Sequence, residues 1–230
     1  MKKIVALILM VILAALPLMV EAAGSLDTHF ACAFLDIKFQ CGCTRTGTGA
    51  MISRYGMITA AHNLYCSTHG KPLEYCNFLF GAKSASSGRK RYEGHFTYRV
   101  YETFKNGYNS LNDIGYVVFE SPIGNSTGWF AWRAANDSYL KNKFVTIMNY
   151  TNNARINSYY STLSVRNNTQ VTWSSVPAGG EGGPVFYQSA DMEFPEVVAV
   201  YACTAADGSA VGCRITDQLY YDMKADGAFN

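Results

Sequence analysis

The sequence has no run of basic residues, no second long apolar stretch after its first, and no extended hydrophobic pattern of helical period. Each absence excludes something. A net charge of +2 with no Lys/Arg cluster gives no electrostatic reason to expect nucleic acid as a partner. A single apolar run, Ile4 to Val20, leaves no later segment able to cross a bilayer as a helix. Blocks of like charge are missing while Tyr (16) and Phe (13) are abundant, which argues against a disordered chain.

What is present begins with Lys2 and Lys3, the apolar run, and then Ala22, Ala23 and Gly24. That order predicts a secretory signal peptide over residues 1–22, with one mature domain over 23–230. Pro17 and the shortness of the run argue against a retained anchor, so no stable membrane insertion is expected after cleavage, and the protein is expected to be secreted. All 7 cysteines lie in the mature part, where an exported protein should oxidise most of them. The odd number leaves at least one free or paired with another chain. Cys203 and Cys213 flank a turn-rich stretch and look placed to clip a hairpin, and Cys66 and Cys76 could close the loop after His62. Cys41-Gly42-Cys43 is not a redox motif of the usual spacing, and no zinc signature is read around it, so neither a metal nor a cofactor is expected.

Short apolar or alternating runs recur along the mature chain, parted by Gly, Asn and Ser. They include Ala50–Ile52, Gly56–Thr59, Ile114–Phe119, Phe144–Met148, Pro184–Tyr187 and Val197–Tyr201. Their β-branched and aromatic content predicts many short antiparallel strands and an all-β fold. Helix is expected only as one turn at Ala60–Leu64 and a short C-terminal segment near Asp217–Lys224.

Three segments can carry chemistry. Thr59-Ala60-Ala61-His62 ends an apolar strand on a histidine, which can act as a general base if an acid orients its other nitrogen. Asn112-Asp113-Ile114-Gly115 places an acid at the mouth of another apolar strand. Gly179-Gly180-Glu181-Gly182-Gly183-Pro184 is a glycine-rich loop that permits unusual dihedrals and can aim backbone N–H groups at an oxyanion.

In this order and with these flanks the three segments resemble the His, Asp and Ser motifs of chymotrypsin-family serine proteases, the last usually written G-D-S-G-G-P. Thr127-Gly128-Trp129-Phe130 is similar to a segment of the glutamyl endopeptidase branch, and Val197–Tyr201 resembles the specificity strand. The resemblance implies an all-β, trypsin-like fold of two six-stranded antiparallel barrels with a short C-terminal helix. It implies a cleft between the barrels for a peptide or protein ligand, His62 and Asp113 as two of three catalytic positions, and Gly179, Gly180 and Glu181 as the oxyanion-hole loop. It also assigns Ser175 and Tyr201 to the substrate pocket.

The pattern then breaks. Counting back from Pro184, Gly183 and Gly182 match, the serine position is Glu181, and the position usually held by Asp is Gly180. The nearest upstream serines, Ser174 and Ser175, cannot be brought into register. A carboxylate is a poor nucleophile toward amides and repels a developing oxyanion. Loss of the nucleophile from such a triad costs on the order of a million-fold in turnover. The expectation is therefore a protease homologue without peptidase activity, with Glu181 ion-paired to His62 and a binding role. The alternatives are an active secreted serine endopeptidase and an exported adhesive domain. Tyr201, standing where the glutamyl branch uses a histidine, removes support for acidic substrates. Gly180 removes the acid that would receive a new N-terminus.

Overall fold

A computed structural model describes residues 28–81, 90–107, 112–151, 154–174 and 179–230. The expected signal peptide, 1–22, and Ser175 lie outside the described residues. The described chain forms two antiparallel sheets, one after the other in sequence. The first contains β1 (Cys32–Phe39), β2 (Thr44–Met51), β3 (Gly56–Thr59), β4 (Tyr65–Cys66), β5 (Lys71–Phe80), β6 (Lys90–Tyr92), β7 (Phe96–Val100) and β8 (Gly115–Phe119). The second contains β9 (Ala131–Trp132), β10 (Phe144–Tyr150), β11 (Ile156–Thr162), β12 (Ser164–Val165), β13 (Gln170–Trp173), β14 (Pro184–Tyr187), β15 (Glu196–Thr204) and β16 (Ala210–Arg214). Each sheet is 8-stranded rather than six-stranded, because a pair of two- or three-residue strands joins each: β4 and β6 in the first, β9 and β12 in the second. β9 is the exception to the antiparallel rule and runs parallel to β15.

Three cores explain why the sheets curl. The first sheet closes over Leu35, Ile37, Met57, Phe78, Phe80 and Phe119. Phe78, fully buried, meets Tyr92, Phe96 and Phe119 edge to face at 6.3, 5.0 and 5.0 Å. Truncating such a side chain to Ala costs about 3–5 kcal/mol. The second sheet closes over Val145, Ile147, Val171, Trp173, Val185 and Tyr201. A third cluster lies between them and draws Phe34, Ile58 and Tyr116 from one sheet, and Phe130, Tyr150 and Val200 from the other. β15 shows how sequence encodes this. Its Val197, Val200 and Ala202 enter the shared core while Val198, Ala199 and Tyr201 enter the second barrel. Both faces are covered, so the strand reads as a continuous apolar run rather than an alternating one.

The C-terminal helix spans Asp217–Ala225, close to its expected bounds. Thr216 caps it, accepting from the Leu219 N–H at 3.2 Å. The helix returns to the first barrel: the Tyr116 hydroxyl donates to Asp226 at 2.6 Å and that of Tyr101 to Asp222 at 2.9 Å. Burial pushes both phenols well above their ordinary range, and the neighbouring carboxylates push the same way. Three short helical turns, Glu102–Gly107, Gly124–Thr127 and Asp137–Leu140, were not expected from the sequence. Each is too short to show a helical period. Among the described residues no helix is long and apolar enough to cross a membrane.

The expected cystine clips are corrected by the strand register. Cys203 stands opposite Val211 and Cys213 opposite Val200, and Cys76 faces Ile37 while Cys66 faces Lys71. Among the described residues no two cysteines lie at disulfide distance. Burial raises the thiols of Cys76 and Cys213 well above the usual value.

Candidate active site

His62 sits in a single 3-10 turn, Ala61–Asn63, at the end of β3. Asp113 stands two residues before β8, which is the antiparallel neighbour of β3. Strand pairing therefore sets the two side by side across 51 residues of sequence. Asp113 holds the histidine twice: its Oδ1 accepts the His62 backbone N–H at 2.9 Å, and its Oδ2 lies 2.6 Å from the ring Nδ1. A carboxylate only accepts, so Nδ1 is the donor in this contact and Nε2 is the ring nitrogen that faces away from the acid. The side chains are 12% and 6% exposed. His62 Nε2 is buried and has no hydrogen-bond partner among the described residues. The structure thus brings together His62 and Asp113, two residues singled out from the sequence.

The glycine-rich loop approaches from the second barrel. Its shape follows from close backbone contacts. A Cβ on Gly180 would lie 2.1 Å from the Tyr150 carbonyl oxygen, and one on Gly183 would lie 1.9 Å from that of Met148. Gly179 and Gly180 have φ of 99° and 78°, a region L-residues rarely adopt. The loop is then fastened to the first barrel through the Glu181 carbonyl oxygen. It accepts from the Thr48 N–H at 2.9 Å and from Asn63 Nδ2 at 2.8 Å. Asn63, fully buried, also donates to Thr59 Oγ1 at 3.0 Å, and Thr59 donates on to the Thr48 carbonyl at 2.6 Å. Thr48 Oγ1 in turn accepts the Tyr150 N–H at 2.8 Å.

The Glu181 side chain does not take the expected ion pair with His62. Its Oε1 instead accepts the Gly179 backbone N–H at 3.3 Å, two residues upstream. Two causes are evident. The left-handed glycines turn that N–H back toward the carboxylate, and a charged acceptor on a backbone donor is a favourable bond. The charge of Arg45 also attracts the carboxylate. Burial lowers the Arg45 guanidinium from its ordinary value, while the charges of Glu181, Asp113 and Cys66 act in the opposite sense. Arg45 itself donates to the His62 carbonyl at 3.2 Å. A polar hollow of about 420 Å³ opens here, lined by Asp36, Thr44, Arg45, Thr46, Gly179 and Glu181.

No protein-family model matches the chain, and no curated protein matches it in sequence. Solved structures do match in shape. A Glu endopeptidase solved in complex with MPD superposes with a TM-score of 0.71 at 15% identity, covering 90% of this chain and 94% of that one. HL collagenase does so with 0.68 at 15%, covering 86% and 94%. A thermostable serine protease, AL20, from an extremophilic microorganism gives 0.71 at 12%, covering 88% and 99%. The chain has the trypsin-like serine protease fold. In that fold the cleft between the barrels is where His62, Asp113 and the Glu181 loop meet.

The substrate-pocket assignment needs correcting for Tyr201. Its side chain is fully buried inside the second barrel, edge to face with Trp173 at 5.8 Å, and its hydroxyl is 2.9 Å from Thr204 Oγ1. Burial raises its phenol above the ordinary value. A ring covered on all sides is core and does not line an open pocket. Arg45, Thr48 and Asn63 were missed by the sequence reading. Only Asn63 had a local signal, as the residue directly after the candidate base; Arg45 and Thr48 matter because of partners over a hundred positions away.

Proposed function

We propose that this chain is an exported serine-protease homologue that lacks peptidase activity and acts by holding a peptide or protein segment in the cleft between its barrels. The observation that carries the reading is Glu181. Counting from Pro184 assigns it to the nucleophile position, and its carboxylate rests on the Gly179 N–H. In proteases of this fold that loop supplies the N–H donors for the oxyanion, so an anion already seated there opposes the charge that must develop in acyl transfer. Among the described residues no hydroxyl is hydrogen-bonded to His62 Nε2. Export is supported by the signal-like segment at residues 1–22.

A second reading, an active endopeptidase, draws on one specific observation: the His62–Asp113 pair has the geometry of a working base, with contacts of 2.6 and 2.9 Å. A fluorophosphonate probe separates the two. The wild-type chain is expected to stay unlabelled while Glu181→Ser becomes labelled at the substituted position. Labelling of the wild type together with hydrolysis of casein overturns the proposal. Peptides or proteins recovered on the wild-type chain from its own extracellular medium are expected to be displaced by substitutions in the cleft.

A further inference from the structure

Outside the cleft the structure brings together four residues that the sequence scatters over two turns. Cys41 and Cys43 lie in the turn joining β1 to β2, which Gly42 closes with φ of 85° and an N–H to the Phe39 carbonyl at 2.8 Å. Cys66 ends β4, and His69 follows in the turn to β5. Their ligand atoms, three Sγ and the His69 nitrogen, all lie within 4.8 Å of one another. His69 Nδ1 is 3.3 Å from Cys43 Sγ and 3.6 Å from Cys66 Sγ.

We propose that Cys41, Cys43, Cys66 and His69 form a structural zinc site. The distances are the first argument. Zinc–sulfur and zinc–nitrogen bonds of about 2.3 and 2.0–2.1 Å in a tetrahedron put S and N about 3.6 Å apart, close to both observed separations. The donor set is the second. Three thiolates and an imidazole are soft-to-borderline ligands that select Zn²⁺ over Ca²⁺ or Mg²⁺. The spacing Cys-x-Cys with Cys-x-x-His fills four positions from protein, leaving none for substrate, which makes the site structural. The third argument is the cysteine count. Seven thiols in an exported chain cannot all pair as cystines, whereas a ligand set of three removes the odd number and leaves four. None of the three is bonded to another sulfur.

The consequence concerns the cleft. Cys66 follows the turn carrying His62 by four residues, so an ion at this point ties the β1–β2 tip to the segment that presents the base. β4 has only two residues and one short pairing with β5.

The test uses the full chain, folded with and without added Zn²⁺, with metal measured by plasma mass spectrometry. One zinc per chain is expected, and exchange for Co²⁺ should give sulfur-to-cobalt charge-transfer bands with tetrahedral d–d bands. His69→Ala, at an exposed position, should lower metal content at least about tenfold after dialysis. His69→Cys should keep the metal and shift the cobalt bands, and Cys203→Ser should change nothing. A metal-free chain after folding with zinc overturns the proposal. So does a cystine among Cys41, Cys43 and Cys66 in non-reducing peptide mapping, or one bound metal that survives both His69→Ala and Cys66→Ser.

Discussion

The two halves of the cleft differ in how complete they are. The first-barrel half presents His62, aimed by two bonds from Asp113, its far nitrogen without a hydrogen-bond partner among the described residues. The second-barrel half presents a loop with tightly constrained backbone and the Glu181 carboxylate, which the proposed function assigns to the nucleophile position. The difference teaches that the loop's shape and its chemistry are set separately. The shape comes from glycines that let the backbone pass within contact distance of Tyr150 and Met148, and from the Glu181 carbonyl held by Thr48 and Asn63. None of these contacts involves the side chain at position 181. The loop's backbone is therefore held in the same way whatever side chain stands at position 181.

The largest effect expected is on activity. If only the hydroxyl is missing, Glu181→Ser should raise peptide hydrolysis by several orders of magnitude, since removal of such a nucleophile costs about 10⁶ in turnover. In that background Asp113→Asn should reduce the gain by about 10⁴, because the wrong histidine tautomer is then favoured. In the wild type Asp113→Asn should leave hydrolysis at background. Steady-state kinetics on a panel of short peptides checks all three. A Glu181→Ser variant that takes the fluorophosphonate but hydrolyses nothing would place the defect in substrate binding rather than in the missing hydroxyl.

Stability comes next. Gly183→Ala should cost several kcal/mol, about 3 or more, because its Cβ meets backbone that cannot yield. Gly208→Ala, at φ of 83° with nothing within 4 Å, should cost only about 1 kcal/mol of backbone strain. Urea denaturation distinguishes the two, and equal losses would remove close approach as the reason for the loop's glycines. Asn63→Ala should cost about 1–3 kcal/mol by stripping one donor from the half-buried Glu181 carbonyl. Its effect should fall on the junction of the barrels, visible as faster amide exchange of Glu181-loop residues.

The smallest effect belongs to the surface of the second barrel. Arg133 makes a two-bond contact with Glu196 at 2.6 Å each, which holds the Glu196 carboxyl below its ordinary value against the opposing effect of burial. A depressed carboxylate stabilises the fold above its unfolded pKa, and that contribution is lost as pH falls through the folded value. Arg133 is 47% exposed, so Arg133→Ala should cost less than about 1 kcal/mol at neutral pH. The difference from wild type should vanish in acid. A difference that persists at acid pH would assign the loss to packing on Tyr139, whose ring lies 4.8 Å from the guanidinium.

Much of this was legible before the structure. β3 and β14 fall on the residues whose β-branched and aromatic runs announced them, and the C-terminal helix ends one residue beyond expectation. Longer strands such as β1 and β5 were harder, because polar residues at Asp36, Lys38, Glu74 and Asn77 interrupt their apolar pattern at the sheet's outer face. The zinc ligands were half legible: Cys66-x-x-His69 was present as a spacing, but its partners lie over twenty residues earlier, and only the β1–β2 and β4–β5 turns bring the pairs together.

By itself the sequence determined residue identity and order: a histidine after one apolar strand, an acid before another, and a glycine loop with Glu181 in it. Those features are local, since a strand needs its side-chain pattern and a tight loop needs its glycines wherever the chain goes. Where the Glu181 carboxylate points, that Tyr201 is interior, and that three thiols and an imidazole share one point were decided by tertiary structure. Each depends on register between strands far apart in the chain, and a shift of a single residue in that register would change which groups meet.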